Sequence, residues 1–229
     1  MVRKTCKLLC QNITAENKCT PKNTNPHIQY PGKDVLSMAL VQAKFFSEDD
    51  YYNLPEGVRA ELIDGQLIYN QAAPSTTHQI ILSELHTAIN NYVKSKGGSC
   101  RVFPAPFAVK LHKSRETIVE PDISVICDRS KLTDKGCVGA PDWIIEIISP
   151  GNPGHDYIRK LNLYADASVR EYWIVDPRIE KVFVYHLEQT DLQIETYTFC
   201  DSIKVNIYDD LLINFSAIAD LLDIYPDGR

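Results

Sequence analysis

The stretch Trp143-Ile144-Ile145-Glu146-Ile147-Ile148-Ser149 leaves few folds open, because it is apolar on both faces of a would-be strand except at one carboxylate. A strand buried on both sides needs a layer of structure above and below it, which is the arrangement of α/β proteins. Burying an unpaired carboxylate costs several kcal/mol or more, so Glu146 requires a cation, a proton or a metal beside it. It is the first candidate for chemistry.

The surrounding pattern predicts what covers this strand. Phe45-Phe46-Ser47-Glu48-Asp49-Asp50-Tyr51-Tyr52 reads as a short helix capped by Ser47, with acids in its first turn. Asp64-Gly65 between Glu61-Leu62-Ile63 and Gln66-Leu67-Ile68-Tyr69 suits a type I′ hairpin. Over residues 77–96, Ile81, Leu85, Ala88 and Tyr92 recur at helical spacing, and Gly97-Gly98 ends the run. Strands follow over residues 100–110, 118–127 and 143–149, then a helix over 156–166, then strands over 171–175 and 181–186. A strand-helix-strand unit beside hairpin-linked strands predicts a mixed sheet with helices on both faces. The sequence contains neither repeats nor a Gly-rich phosphate loop.

Residues 1–37 differ from the rest. They lack helical or strand periodicity and carry Arg3, Lys4, Lys7, Lys18, Lys22 and Lys33 against Glu16 and Asp34, a net of +4 that leaves −10 for residues 38–229. They are expected to be loop or disorder, with Met38 as the natural start of the patterned chain. The overall charge of −6 argues against sequence-blind adhesion to nucleic acid, although a local basic groove remains compatible with it. No segment approaches the roughly 20 apolar residues of a membrane span, and Leu8-Leu9 is too short for a secretory signal, so a cytoplasmic location is expected. Seven cysteines, an odd number in a long chain, are expected to be reduced thiols. Cys100, Cys127, Cys137 and Cys200 read as small apolar fillers, and Cys6, Cys10, Cys19 and His27 lack the short pairs of a zinc site.

Alternation along residues 118–127 places Glu120, Asp122 and Ser124 on one face and Val119, Pro121, Ile123 and Val125 on the other. If that strand pairs with 143–149, Asp122 and Glu146 converge on one point, where carboxylate oxygens suit a hard divalent cation. In the following helix Asp156, Lys160 and Tyr164 share one face, and Ile158, Leu161 and Ala165 form the apolar stripe. Lys160 is either the exposed partner of Asp156 or a cation that offsets phosphate charge. Asp142 reads as a loop residue, and Tyr172-Trp173 as core rather than a base-stacking platform.

Four segments taken in order carry a resemblance: Glu120-Pro121-Asp122-Ile123-Ser124-Val125, Trp143 through Pro150, Asp156-x-x-x-Lys160-x-x-x-Tyr164-Ala165, and Glu171-Tyr172-Trp173-Ile174-Val175-Asp176-Pro177. Together they resemble the Uma-two family of restriction-endonuclease-like proteins, within the PD-(D/E)xK nuclease superfamily. The likeness spans about residues 38–222 and includes Glu61-Leu62-Ile63-Asp64-Gly65 and His78. It implies one nuclease-like domain over residues 38–229, of α/β class, with a restriction-endonuclease-like mixed sheet flanked by helices and an N-terminal β-hairpin.

The same resemblance implies a metal-dependent endonuclease acting on DNA. Asp122 and Glu146 are then Mg²⁺ ligands, with Mn²⁺ able to substitute and the Ile147 carbonyl as a third ligand. Ile148 stands where the superfamily motif has its lysine, and Lys160 on the following helix is the migrated replacement. Glu61 adds an outer carboxylate and His78 a proton shuttle or phosphate contact, each against a purely structural alternative. The implied products are a 5′-phosphate and a 3′-hydroxyl, and a homodimer is a natural way to read a symmetric site. Two other readings stay open: a degenerate nuclease fold that binds nucleic acid or protein without cutting, and a metal-free hydrolase using Asp122 and Glu146 as an acid/base pair.

Overall fold

The computed structural model describes residues 44–69, 73–112, 115–149, 155–188 and 193–222, with the side chains of 155–157 excepted. The expectations for residues 1–37 and for Met38 lie outside these residues.

Helix α1 (Glu48–Tyr52) opens on a capping box in which Ser47 and Asp50 bond each other's backbone N–H. Strands β1 (Ala60–Ile63) and β2 (Gln66–Tyr69) form the expected hairpin, with Asp64 at φ 51° and Gly65 at φ 74°. Helix α2 (Thr76–Ser95) starts at the Ser75 cap, and the left-handed turn beyond it at Gly97 has φ 62°. Short strands follow: β3 (Arg101–Pro104), β4 (Val109–Lys110), β5 (Ile118–Val119), β6 (Ile123–Ile126), β7 (Leu132–Thr133) and β8 (Gly136–Val138). Then come β9 (Trp143–Ile147), α3 (His155–Asp166), β10 (Glu171–Asp176), β11 (Lys181–His186), β12 (Gln193–Thr198), β13 (Ser202–Lys204), β14 (Leu212–Asn214) and α4 (Phe215–Leu222).

The strands form two six-stranded sheets, β12-β11-β10-β9-β6-β3 and β2-β1-β5-β4-β8-β7, and a small β13–β14 hairpin. The first sheet is mixed: β9 and β10 run parallel, bridged by α3, and its other pairs are antiparallel. Its two faces are both covered. Trp143, Ile145 and Ile147 join Ile81, Leu85 and Ile89 of α2 in one core, while Ile144 and Ile148 join Tyr164 of α3 and Ile63 and Val109 of the second sheet in another.

The structure corrects the expectation of a single sheet. Residues 100–110 and 118–127 are not continuous strands; each begins in one sheet and ends in the other. Pro106 and Pro121 have no N–H to give to a ladder, and the breaks fall around them. The two crossing segments run side by side, with the Ala105 N–H donating to the Asp122 carbonyl at 2.9 Å. Asp122 therefore sits at the crossing rather than within a strand, and the alternation through Glu120, Asp122 and Ser124 does not hold.

Helix α3 departs more sharply from its predicted orientation. Lys160 and Tyr164 are buried, whereas Ile158 is 64% exposed and Ala165 is also outside. The face read as polar is the one that docks, because its polar atoms meet carboxylates inside.

The cysteines also differ from expectation. Cys100 and Cys127 are joined in a disulfide, since the β3–β6 register of Arg101 with Ile126 places their neighbours side by side. Cys200 is exposed and is not a filler; Cys137 is a buried free thiol, as expected. Tyr172 and Trp173 are fully buried core residues.

Candidate active site

The site forms where β1 of one sheet, β9 of the other, the crossing at Asp122, the start of α2 and the inner face of α3 meet. Glu146 alternates with its isoleucine neighbours onto the α3 side of β9. Lys160 Nζ lies 3.0 Å from Glu146 Oε1 and 3.0 Å from Glu61 Oε1, tying the two sheets through a helix. Tyr164, one turn beyond Lys160, donates its hydroxyl to the same Glu146 Oε1 at 2.7 Å. Glu61 Oε1 also accepts the Glu120 N–H at 3.0 Å.

Asp122 is held from two sides. Its Oδ2 accepts the Ile147 N–H at 2.7 Å and stands 3.1 Å from His78 Nε2. The Ile148 N–H points the other way, to the Val175 carbonyl at 2.8 Å. Because the N–H and C=O of one extended residue point to the same edge, the Ile147 carbonyl is directed toward the Asp122 side of β9. His78 reaches Asp122 from the first turn of α2 and is itself buried.

Charge is crowded here. Glu61 and Glu146 share one lysine and Asp122 stands near enough to act on Glu146; their side chains are 5%, 8% and 17% exposed, so the cluster opens to solvent chiefly through Asp122. Burial pushes the Glu146 carboxyl up to about 7; Lys160 opposes that, Asp122 and Glu61 add to it, and the Tyr164 hydrogen bond works against it. Burial likewise holds the Tyr164 phenol well above its ordinary value. Glu120, beside the cluster, is neutralised separately: Tyr51 donates to its Oε1 and Arg59 to its Oε2, each at 2.9 Å.

The structure thus brings together Asp122, Glu146, Lys160, Glu61 and His78. Asp142 stays apart in its loop, where its Oδ2 accepts the Cys127 N–H. The side chain of Asp156, the suggested exposed partner of Lys160, is outside the described residues. The site residue to which sequence reasoning gave no role is Tyr164; its signal was the i, i+4 spacing from Lys160. Among the described residues no group of three or more His, Cys, Asp or Glu is arranged to hold a metal ion. Nor is any described helix long and apolar enough to cross a membrane.

A mixed sheet covered by helices on both faces, with acids and a lysine converging where strands cross between sheets, defines a restriction-endonuclease-like α/β protein. The chain belongs to the Uma-two family: that family's model, Uma2, described as "Putative restriction endonuclease", matches residues 48–213. It is similar to a solved structure from Anabaena variabilis, described as a putative nuclease belonging to DUF820, with a TM-score of 0.63 and 26% identity. That match covers 76% of this chain and 97% of the other. It is also 26% identical over 163 residues to the uncharacterized protein slr1290 of Synechocystis, across 69% of this chain and 84% of that one.

Proposed function

We propose that the protein is a metal-dependent endonuclease that hydrolyses DNA phosphodiester bonds, with Asp122 and Glu146 as Mg²⁺ ligands and the Ile147 carbonyl as a third. The convergence of Asp122 and Glu146 beside Lys160 carries this reading. The donor set fits the ion in kind: Mg²⁺ takes hard oxygens, needs only one or two carboxylates, and keeps several waters, so a closed cage of three protein side chains is not required. The Glu146 carboxyl, pushed up by burial and by Asp122 and Glu61, marks a place where a further positive charge is favourable. When bound, such an ion supplies a water of lowered pKa and polarises the phosphate.

The chain's own groups do the rest. His78 and the Ile147 N–H fix Asp122 from two sides, which sets the direction of its carboxylate. Lys160 holds Glu61 and Glu146 and places its positive charge where negative charge builds on the transferring phosphoryl group. Glu61 serves as the outer carboxylate, fixed by the Glu120 N–H. A homodimer cutting both strands and a cytoplasmic location belong to the same reading.

One observation favours a second reading, a degenerate fold that binds without cutting: Ile148 occupies the superfamily's lysine position, in a chain of net charge −6. Purified protein incubated with supercoiled plasmid and Mg²⁺ or Mn²⁺ separates the two. Nicking that is lost in Lys160→Ala supports the nuclease. Plasmid that stays intact, together with no heat of Mn²⁺ binding in calorimetry, defeats it and leaves the binder and the metal-free hydrolase.

A further inference from the structure

We propose that Tyr164 is a positioning residue that sets the rotation of the Glu146 carboxylate, an inference that rests on the metal-dependent reading above. Tyr164 is fully buried and its ring packs edge-on against Tyr172 with centroids 4.9 Å apart, so it touches neither solvent nor DNA. Filling that space requires only the ring. The hydroxyl is a separate matter: a buried O–H without a partner is costly, and this one finds its partner in Glu146 Oε1 at 2.7 Å.

Lys160 alone does not hold Glu146 in one orientation, because its ammonium is shared with Glu61 Oε1 at the same 3.0 Å. An ammonium is also a point charge on a flexible stem, with donors that rotate. A phenol anchored by its ring donates along one direction. With Oε1 held by both groups, the carboxylate plane is defined, and with it the place where Oε2 stands. Helix α3 accomplishes this with residues one turn apart, which is why its polar face is the one turned inward. Groups that hydrogen-bond a metal-ligating carboxylate in this way orient it, and their loss weakens metal affinity or activity by about 10–100-fold.

The test is Tyr164→Phe, which deletes the hydroxyl and keeps the ring, studied at a temperature where circular dichroism shows both proteins folded. The expected result is a Mn²⁺ dissociation constant raised about tenfold or more and a plasmid-nicking kcat lowered by a similar factor, with KM for DNA unchanged. A purely structural hydroxyl would lower the melting temperature while leaving Mn²⁺ affinity and kcat as in the wild type, and that outcome overturns the proposal. Wild-type protein that neither binds Mn²⁺ nor nicks overturns the nuclease reading and this inference together. A nicking wild type matched by an equally active variant overturns this inference alone.

Discussion

Glu146 and Glu171 are both buried carboxylates on neighbouring parallel strands, and they face opposite sides of one sheet. In the β9–β10 register Glu171 stands opposite Trp143 and Glu146 opposite Ile174. Burial raises the pKa of each. Their surroundings differ in kind. Glu171 Oε1 accepts the Trp173 indole N–H at 2.7 Å and its Oε2 accepts the Ile207 N–H at 2.9 Å, with the Asn206 backbone also contributing. Its hydrogen-bond donors are neutral and reach both oxygens, and it pins the loop before β14 onto the sheet. Glu146 has both donors on one oxygen, one of them a cation, and faces two more carboxylates. Burial selects both acids; crowding with like charge, open to solvent through Asp122, singles out one. A buried acid is thus a reason to look for chemistry and not yet a reason to find it.

The largest effect should come from breaking the crowded acid. Glu146→Ala removes a proposed metal ligand, and plasmid nicking is expected to fall on the order of a thousandfold, several kcal/mol of lost stabilisation, with Mn²⁺ binding gone in calorimetry. Glu171→Ala should do the reverse. It strands the Trp173 and Ile207 N–H groups and is expected to cost about 3 kcal/mol of stability in urea unfolding, while kcat per folded molecule stays unchanged. Equal loss of kcat in both variants would erase the distinction between the two acids.

A pH series sharpens the comparison without substrate. In chelator, the folded protein keeps a proton on Glu146 up to about 7, whereas the unfolded chain releases it near its ordinary 4.5. The folded state then binds more protons across that window, so this contribution is fully present below about 4.5 and is lost as pH rises through about 7. Glu171 acts in the same direction. Glu146→Gln is expected to flatten the fall between about pH 4.5 and 7, on the order of 1–3 kcal/mol in urea unfolding across that window. An identical slope in wild type and variant would show that Glu146 carries no such shift.

Local periodicity made the hairpin, α2 and the β9–α3–β10 crossover legible, because each is specified by residues within a turn or two of one another. The resemblance to a family then pointed to Asp122, Glu146, Lys160, Glu61 and His78 as one group. What was not legible required distant contacts. The burial of Lys160 and Tyr164 rather than Ile158 depends on Glu61 and Glu146 waiting on two different sheets, so a stripe of apolar residues misreads the helix. The prolines at 106 and 121 were visible, but their joint effect, two segments crossing between sheets, follows only from the pairing of both. Strand β12 offered little to read, since Gln193 through Glu195 are exposed on both faces. The Cys100–Cys127 disulfide likewise follows from register, not from spacing.

Glu120 supplies an intermediate case and the smallest expected effect. It lies two residues before Asp122 and its backbone N–H supports Glu61, yet its own carboxylate is already matched by the Tyr51 hydroxyl and the half-exposed Arg59 guanidinium. If crowding with unmatched like charge is what distinguishes Glu146, proximity alone should count for little. Glu120→Gln keeps the side-chain shape, an acceptor for Tyr51 and the backbone bond to Glu61, and replaces the charged acceptor facing the exposed Arg59 with an amide. A partly exposed pair of this kind contributes about 1 kcal/mol or less, so stability should change within that margin and nicking within a few-fold. A loss of activity approaching that of Glu146→Ala would place Glu120 among the reacting groups and redraw the boundary between the matched acids and the crowded ones.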